Sequence, residues 1–380
     1  MKILLIGEYS NLHNSLKKGL LELGHSVTLL AAEDGFKHFD RDLKLKDNNF
    51  KFKSRFASKL FKSIFGYYFS FYVKSLRFFQ IKKRLTQYDV IQLINEHAIG
   101  GVPFFETRQI TFLKKYNKSL FLLSCGDDNY SLSFYKSKGA VKYSILTPLE
   151  LDNKIIDTYE STLRYFKKDY QKLSKVVYNA CNGIIASDID YHLPLQNNPK
   201  YLGLIPNPVV LNKLKPIKKQ ETNTRILLGI NTNSYIKKGL KYFEEALTQI
   251  EKKYPDVIIK KTKNLPFSEY IEELNKTDVL LDQVYGYDQG YNALEAMALG
   301  KVVFTGAERE FLKHYSLKED EVAINALPDT NYLVEKLSYL IENPEEIERI
   351  GSNAKAFVIN HHEAKQVAEK YVETWTKAAK

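Results

Sequence analysis

The chain opens with an apolar run, a glycine, an amphipathic stretch and a second apolar run, all within residues 1–32. The same construction restarts at Arg225. This repeat constrains the fold more than any other feature. Residues 2–6 (KILLI) read as a buried parallel strand ending at Gly7. Residues 11–23 set Leu12, Leu16, Leu20 and Leu23 on one stripe, the spacing of a single helix face. Residues 24–32 (GHSVTLLAA) then read as helix stop, turn and second strand. Strand, helix and strand in about 30 residues make a βαβ unit, which predicts a parallel sheet with right-handed crossovers.

Further strands are expected at 89–94, 119–125, 183–187 and 201–205. After IPNPV (205–209), the lysine-rich stretch 211–224 reads as a connector. The pattern resumes with a strand at 225–230, a helix over about 236–252 and strands near 257–260, 278–281 and 301–305. Helical segments at about 331–342, 344–359 and 363–378 close the chain. Such a length exceeds one comfortable core. The expected class is therefore α/β, with two Rossmann-like doubly wound domains facing a cleft. Their ranges are 1–205 and 206–360, and a last helix over 361–380 crosses back to the first domain. In such sheets ligands sit at the carboxyl ends of the strands.

Two cysteines, Cys125 and Cys181, make no disulfide framework, so a reducing, cytoplasmic setting fits. The opening residues are expected to form a strand rather than a signal peptide. No run of about 18 apolar residues offers a membrane span. Net charge is +11, which directs attention to anionic partners.

The stretch GYNALEAMALGKVVF (290–304) places Gly290 before an apolar helix that carries one acid, Glu295. Gly290 admits close backbone approach, and the amides of Tyr291, Asn292 and Ala293 face outward at a helix start, where an anion such as a diphosphate is favoured. Glu295, one turn on, could accept hydrogen bonds from a ribose diol or simply complement the positive helix end.

This stretch resembles the nucleotide-sugar motif of GT-B glycosyltransferases of the large retaining family 4, in which a glutamate is followed eight positions later by a second glutamate and AMA-x-G-x-P-V-V. Gly290 matches the motif's glycine, and Glu295 its second glutamate, which in the family holds the ribose hydroxyls. Residues 1–30, GINTNSYIKKGLKYFEEAL (229–247) and NHHEAKQVAEKYVETW (360–375) are similar to the family's opening unit, diphosphate-binding loop and closing helices. The first glutamate is replaced by Tyr287, with Asp288 adjacent. The family's arginine after Gly229 is absent, and Ile230, Asn231 and Thr232 fill the region. The resemblance implies a retaining transfer of a sugar from a UDP- or GDP-sugar to a glycan or polyprenyl-linked acceptor, in bacterial surface polysaccharide synthesis and without a metal. A nucleotide-sugar-binding protein without turnover and a nonhydrolysing sugar-nucleotide epimerase share the scaffold.

Lys238, just before Gly239, could balance charge on a departing phosphate; Lys237 is its neighbour, and a solvated helix start is the plainer alternative. NLPFSEYIEEL (264–274) resembles the loop that grips the base through backbone groups at Leu265 and Pro266, with Ser268 as a helix cap. In the first domain, Gly7, Asn11 and His13 after the first strand and Asn95 after the third are acceptor-side candidates, and His97 beside Asn95 is a catalytic candidate. Asp127 and Asp128 could bind hydroxyls, act as base, or cap the next helix.

Residues 50–85 are rich in Lys, Arg, Phe and Tyr and contain no acid. They fit an amphipathic segment at an anionic membrane, giving peripheral attachment at the inner face of the plasma membrane. They also fit a long helix whose Phe61, Phe65, Phe69 and Tyr72 stripe packs on the sheet. No nucleic-acid motif accompanies them.

Overall fold

A computed structural model describes residues 1–32, 40–45, 54–211 and 223–379. Residues 50–53 of the basic segment and 212–222 of the connector lie outside the described residues. The described chain divides into two compact units. The first comprises residues 1–134, 158–208 and 364–380, and the second 135–157 and 209–363. The division is therefore not linear: 135–157, inside the range expected for the first domain, belongs to the second unit.

The first unit holds a seven-stranded parallel sheet of β1 (Lys2–Ile6), β2 (Ser26–Ala31), β3 (Leu43–Lys44), β4 (Val90–Leu93), β5 (Ser119–Ser124), β6 (Gly183–Ala186) and β7 (Tyr201–Leu204). Their order is β3-β2-β1-β4-β5-β6-β7. Strands buried on both faces read as unbroken apolar runs, and Ile3–Ile6 and Leu120–Leu123 are almost wholly inaccessible. Around the sheet stand α1 (Leu12–Glu22), α2 (Arg55–Phe65), α3 (Phe69–Ile81), α4 (Pro103–Tyr116), α5 (Asn129–Tyr135), α7 (Glu160–Leu163), α8 (Lys168–Ala180), α9 (Ile189–Leu195) and the last helix, α16 (Ala364–Ala378). Helix α16 packs on α1 at Gly19, where a Cβ would lie 2.2 Å from the Ala364 carbonyl oxygen.

The second unit carries α6 (Thr147–Leu151) and a five-stranded parallel sheet. Its strands are β8 (Arg225–Ile230), β9 (Ile258–Lys263), β10 (Val279–Leu281), β11 (Val302–Thr305) and β12 (Ile324–Asn325), in the order β12-β11-β10-β8-β9. Its helices are α10 (Leu240–Lys253), α11 (Phe267–Asn275), α12 (Tyr291–Ala298), α13 (Arg309–Tyr315), α14 (Thr330–Glu342) and α15 (Pro344–His362).

The single long helix expected over the basic segment is two helices. Gly66 adopts φ 80°, and its amide closes α2 on the Lys62 carbonyl, an ending that glycine permits at little cost. The Phe61, Phe65, Phe69 and Tyr72 rings pack on one another at 4.4–6.5 Å across the break, rather than forming one stripe against the sheet. Among the described residues, no helix is long and apolar enough to cross a membrane.

Candidate functional site

In the second unit, three loops leave the carboxyl ends of β8, β10 and β11. Residues 231–239 lead from β8 into α10. Gly239, at φ 63°, is the N-cap; a Cβ there would meet Val284 Cγ2 at 2.3 Å and the Tyr285 ring at 2.9 Å, so both conformation and contact demand glycine. This fixes Lys238. Its Nζ lies 2.7 Å from Asp282 Oδ1, just beyond β10. Asp282 is 2% exposed and also accepts from Asn292 Nδ2 at 2.9 Å and Thr305 Oγ1 at 3.3 Å. One buried carboxylate thus ties the three loops together at a half-exposed cation. The sequence reading did not include Asp282; an acid closing the apolar run DVLLD was its only signal.

Gly290 caps α12 in extended conformation, and no side chain caps this end. A Cβ built on Gly290 meets nothing within 4 Å, so the space before the helix mouth is open. The amides of a first helical turn have no carbonyl partner within the helix. Glu295 and Tyr291 are half-buried, Ala293 is buried, and Asn292 turns its side-chain amide inward to Asp282. Tyr270 of α11 packs behind this mouth. Burial first, and then the Asp282 charge, lift its phenol above the ordinary range, and Glu295 adds to the shift. Gly229 leaves room for that ring: a Cβ there would fall 2.8 Å from Tyr270 Cε2.

Two further loops frame the region. The Asn231 side chain accepts from the Asn233 amide at 3.0 Å and so shapes its own turn, while Thr232 donates its amide to Asn264 at 3.1 Å. Lys237 is half-buried, as is Leu265, and Pro266 is exposed. The expected Ser268 cap is corrected: Pro266 is the N-cap of α11, and no side chain caps that helix. Tyr287 is buried, and its hydroxyl accepts from the Lys142 amide at 2.8 Å. Its neighbour Asp288 is also buried and accepts from the Gln289 amide at 2.7 Å. Glu308, absent from the sequence reading, accepts from Lys142 Nζ at 2.8 Å, the Tyr143 hydroxyl at 2.5 Å and Asn325 at 3.1 Å. Burial opposes its charge, but these partners hold its carboxyl below the ordinary range.

The first unit collects its candidates at the carboxyl ends of β1, β4 and β5, and most of them face inward. Gly7 (φ 90°) presses against Ile94 and the Ala98 carbonyl. Asn11 is a left-handed N-cap whose side chain makes no capping bond. His13 is wholly buried, with Nδ1 2.7 Å from the Gly7 carbonyl and Nε2 without a partner; burial lowers its pKa to about 4, and the neutral ring anchors α1. Asn95 is equally buried and donates to the Cys125 and Asp127 carbonyls.

His97 lies 2.8 Å from the Gly101 carbonyl and 3.3 Å from Glu106 Oε2, and burial followed by the Arg164 charge depresses its pKa to about 3. The ring is therefore neutral at pH 7 and its Nε2–H donates to the Gly101 carbonyl. Asp128 caps α5 through the Ser131 amide at 2.6 Å, and burial raises its pKa to about 6. Asp127 is half-buried and accepts from the Thr162 hydroxyl. Among the described residues, no three His, Cys, Asp or Glu side chains converge as a metal-ligand set.

Residues 217–373 match the family described as Glycosyl transferase-like. No curated protein matches the chain. Among solved structures, the chain is similar to sucrose-phosphate synthase from Thermosynechococcus elongatus, with a TM-score of 0.66 and 12% identity over 99% of both chains. It is similar to Anabaena HepE, solved in complex with UDP and glucose, with a TM-score of 0.61 and 12% identity over 99% of this chain and 100% of that one. It is also similar to UDP-GlcNAc 2-epimerase from Neisseria meningitidis, with a TM-score of 0.52 and 14% identity over 99% and 100%. At these identities the likeness establishes the fold alone.

Proposed function

We propose that this chain, a glycosyltransferase of the GT-B fold whose residues 217–373 form a glycosyl transferase-like domain, moves a sugar with retention from a nucleotide diphosphate sugar to a glycan or lipid-linked acceptor of the bacterial surface. The observation that carries the reading is the Lys238–Asp282–Asn292 node beside the open mouth of α12. A diphosphate at that mouth meets first-turn amides and one cation, and Glu295 lies one turn along for a ribose diol.

In the proposed transfer, the acceptor oxygen bonds to the anomeric carbon on the face from which the diphosphate leaves. The bond from that carbon to the diphosphate oxygen breaks, and the acceptor's proton passes to the diphosphate. Lys238 and the α12 amides hold the negative charge as it develops, so the scheme calls on no metal and no protein nucleophile. Incubation with UDP- and GDP-sugars tests it. Acceptor-dependent release of the nucleotide diphosphate supports transfer. Conversion of the donor sugar without acceptor identifies an epimerase, and binding without turnover a binding protein.

Glu295→Ala is expected to weaken nucleotide-sugar binding by about 1–3 kcal/mol, the scale of charge-assisted hydrogen bonds. Calorimetric titration reads this directly, and an unchanged affinity removes the ribose assignment.

Peripheral attachment to an anionic membrane is part of the same reading. Helix α2 exposes Phe56 (76%), Leu60 (51%) and Ile64 (67%) at four-residue spacing, on an acid-free segment. That combination suits rings and aliphatic chains at the headgroup boundary with lysines toward phosphate. Flotation with phosphatidylglycerol liposomes is expected to carry the protein upward in a salt-sensitive way, and Phe56→Ser with Ile64→Ser to abolish it. Equal flotation of that variant and the parent excludes α2 as the contact.

A further inference from the structure

The first unit holds a cation that the donor chemistry does not use. Arg164 follows α7, and its guanidinium lies over the rings of Tyr165 and Tyr170, 5.1 and 5.8 Å from their centroids. Both tyrosines are 2% exposed. Among the described residues, the guanidinium makes one long hydrogen bond, from Nη2 to the Tyr165 hydroxyl at 3.5 Å, and Nε is buried without a partner. Glu160, one turn earlier, pairs with Lys62 and acts on Arg164 only electrostatically, from beyond ion-pair distance. Among the described residues, no carboxylate reaches ion-pair distance of Arg164.

Arginine stays protonated in proteins, so this charge cannot be relieved by losing a proton. Arg164 is half-buried, with Nε cut off from water, and partial burial of a charge without an ion-pair partner is costly beyond what ring contacts offset. The field reaches the neighbouring His97, whose ring packs edge-on against Tyr165 and Tyr170 at 6.4 and 5.1 Å. The surroundings are the loops after β1, β4 and β5. Tyr9 acts electrostatically on Arg164, and its ring would sit 3.2 Å from a Cβ at Gly126. Asp127 is held by Thr162, two residues before Arg164.

We propose that Arg164 anchors an anion site in the first unit, built for a phosphate-class group, either a monoester or a diphosphate. Its planar fork of N–H donors suits phosphate oxygens, and contact with two tyrosine rings holds the fork in one orientation. Asp127, an acceptor for hydroxyls at the edge, matches a phosphate that carries a sugar. Assignment of that ligand to the acceptor rests on the glycosyl-transfer reading above; the anion site itself does not.

The test uses the full chain with inorganic pyrophosphate as probe, read by calorimetric titration and by hydrogen exchange of residues 158–170. Lys238→Ala, which impairs the donor side, is expected to keep the pyrophosphate protection of 158–170. Arg164→Gln is expected to lower pyrophosphate affinity in that background by about tenfold or more, with Arg164→Lys intermediate. A folded Arg164→Gln with an unchanged titration overturns the site. If Arg164→Gln does not fold, absence of pyrophosphate protection over 158–170 in the wild type overturns it as well. Glucose 1-phosphate and phosphatidylcholine vesicles bearing a polyprenyl diphosphate then separate the sources, and an Arg164-dependent response to either supports the site. Arg164-dependent pyrophosphate binding in a protein that neither binds nor turns over nucleotide sugars refutes the transfer reading alone.

Discussion

Lys238→Ala is expected to lower kcat for sugar transfer about 100-fold or more, the cost of removing one pre-placed group that stabilises developing charge. Donor affinity is expected to fall much less. Without ligand, Lys238 already has a full counter-charge in Asp282 at 2.7 Å. A ground-state diphosphate therefore competes with an existing ion pair and gains little from the lysine. As the glycosidic bond breaks, charge accumulates on the departing oxygen, and only then does the lysine's attraction exceed what Asp282 supplies. An interaction made mainly in the transition state appears in kcat rather than in binding. Single-turnover measurement with saturating donor isolates the step. Asp282→Asn is the companion: it keeps an acceptor for Asn292 but frees Lys238, so donor binding should tighten relative to Asp282→Ala. A Lys238→Ala protein that changes only the apparent affinity for acceptor contradicts the leaving-group role.

How far the sequence carried this site depends on separation along the chain. β1, β5 and β8 were legible because strands covered on both faces must be apolar where they are buried, and 3–6, 120–123 and 226–228 are. α12 was legible because its glycine and glutamate are local. β3 and β12 are two residues each and leave no periodicity to read. Asp282 joins Lys238 and Asn292 from 44 and 10 residues away, and Tyr287 meets Lys142 across 145. No spacing rule reaches that far.

His13 and His97 illustrate the opposite limit. Polar residues after a strand read as ligands, yet one nitrogen of each ring is taken by a backbone carbonyl, of Gly7 and of Gly101. Buried loops must satisfy their own backbone before they can serve a substrate. Arg164 carried no signal at all, because only tertiary packing shows that no acid among the described residues lies at ion-pair distance from it.

Trp375→Ala is expected to destabilise the first unit by about 3–5 kcal/mol, the range for emptying a fully buried aromatic site. Trp375 is the largest side chain in the core with no exposure. It stacks near Phe121 and Tyr371 at 6.3 and 5.4 Å, and its Nε1 donates to Gln92 Oε1 at 2.9 Å. Truncation removes apolar contact and also strands a buried amide oxygen in the middle of β4, which adds a desolvation cost. Helix α16 cannot easily collapse into the void, since its backbone is already in contact with Gly19. For a unit of about 200 residues, a loss of that size lowers the melting midpoint by roughly 6–20 °C. Trp375→Phe keeps most of the ring but not the hydrogen bond, and should lose about 1–2 kcal/mol. The consequence extends to the site. β4 runs directly into Asn95–His97, the loop beside Arg164, so a loosened β4 should weaken Arg164-dependent pyrophosphate binding while leaving the donor titration in the second unit unchanged. A Trp375→Ala protein that melts with the wild type means that α16 contributes no stability through this contact.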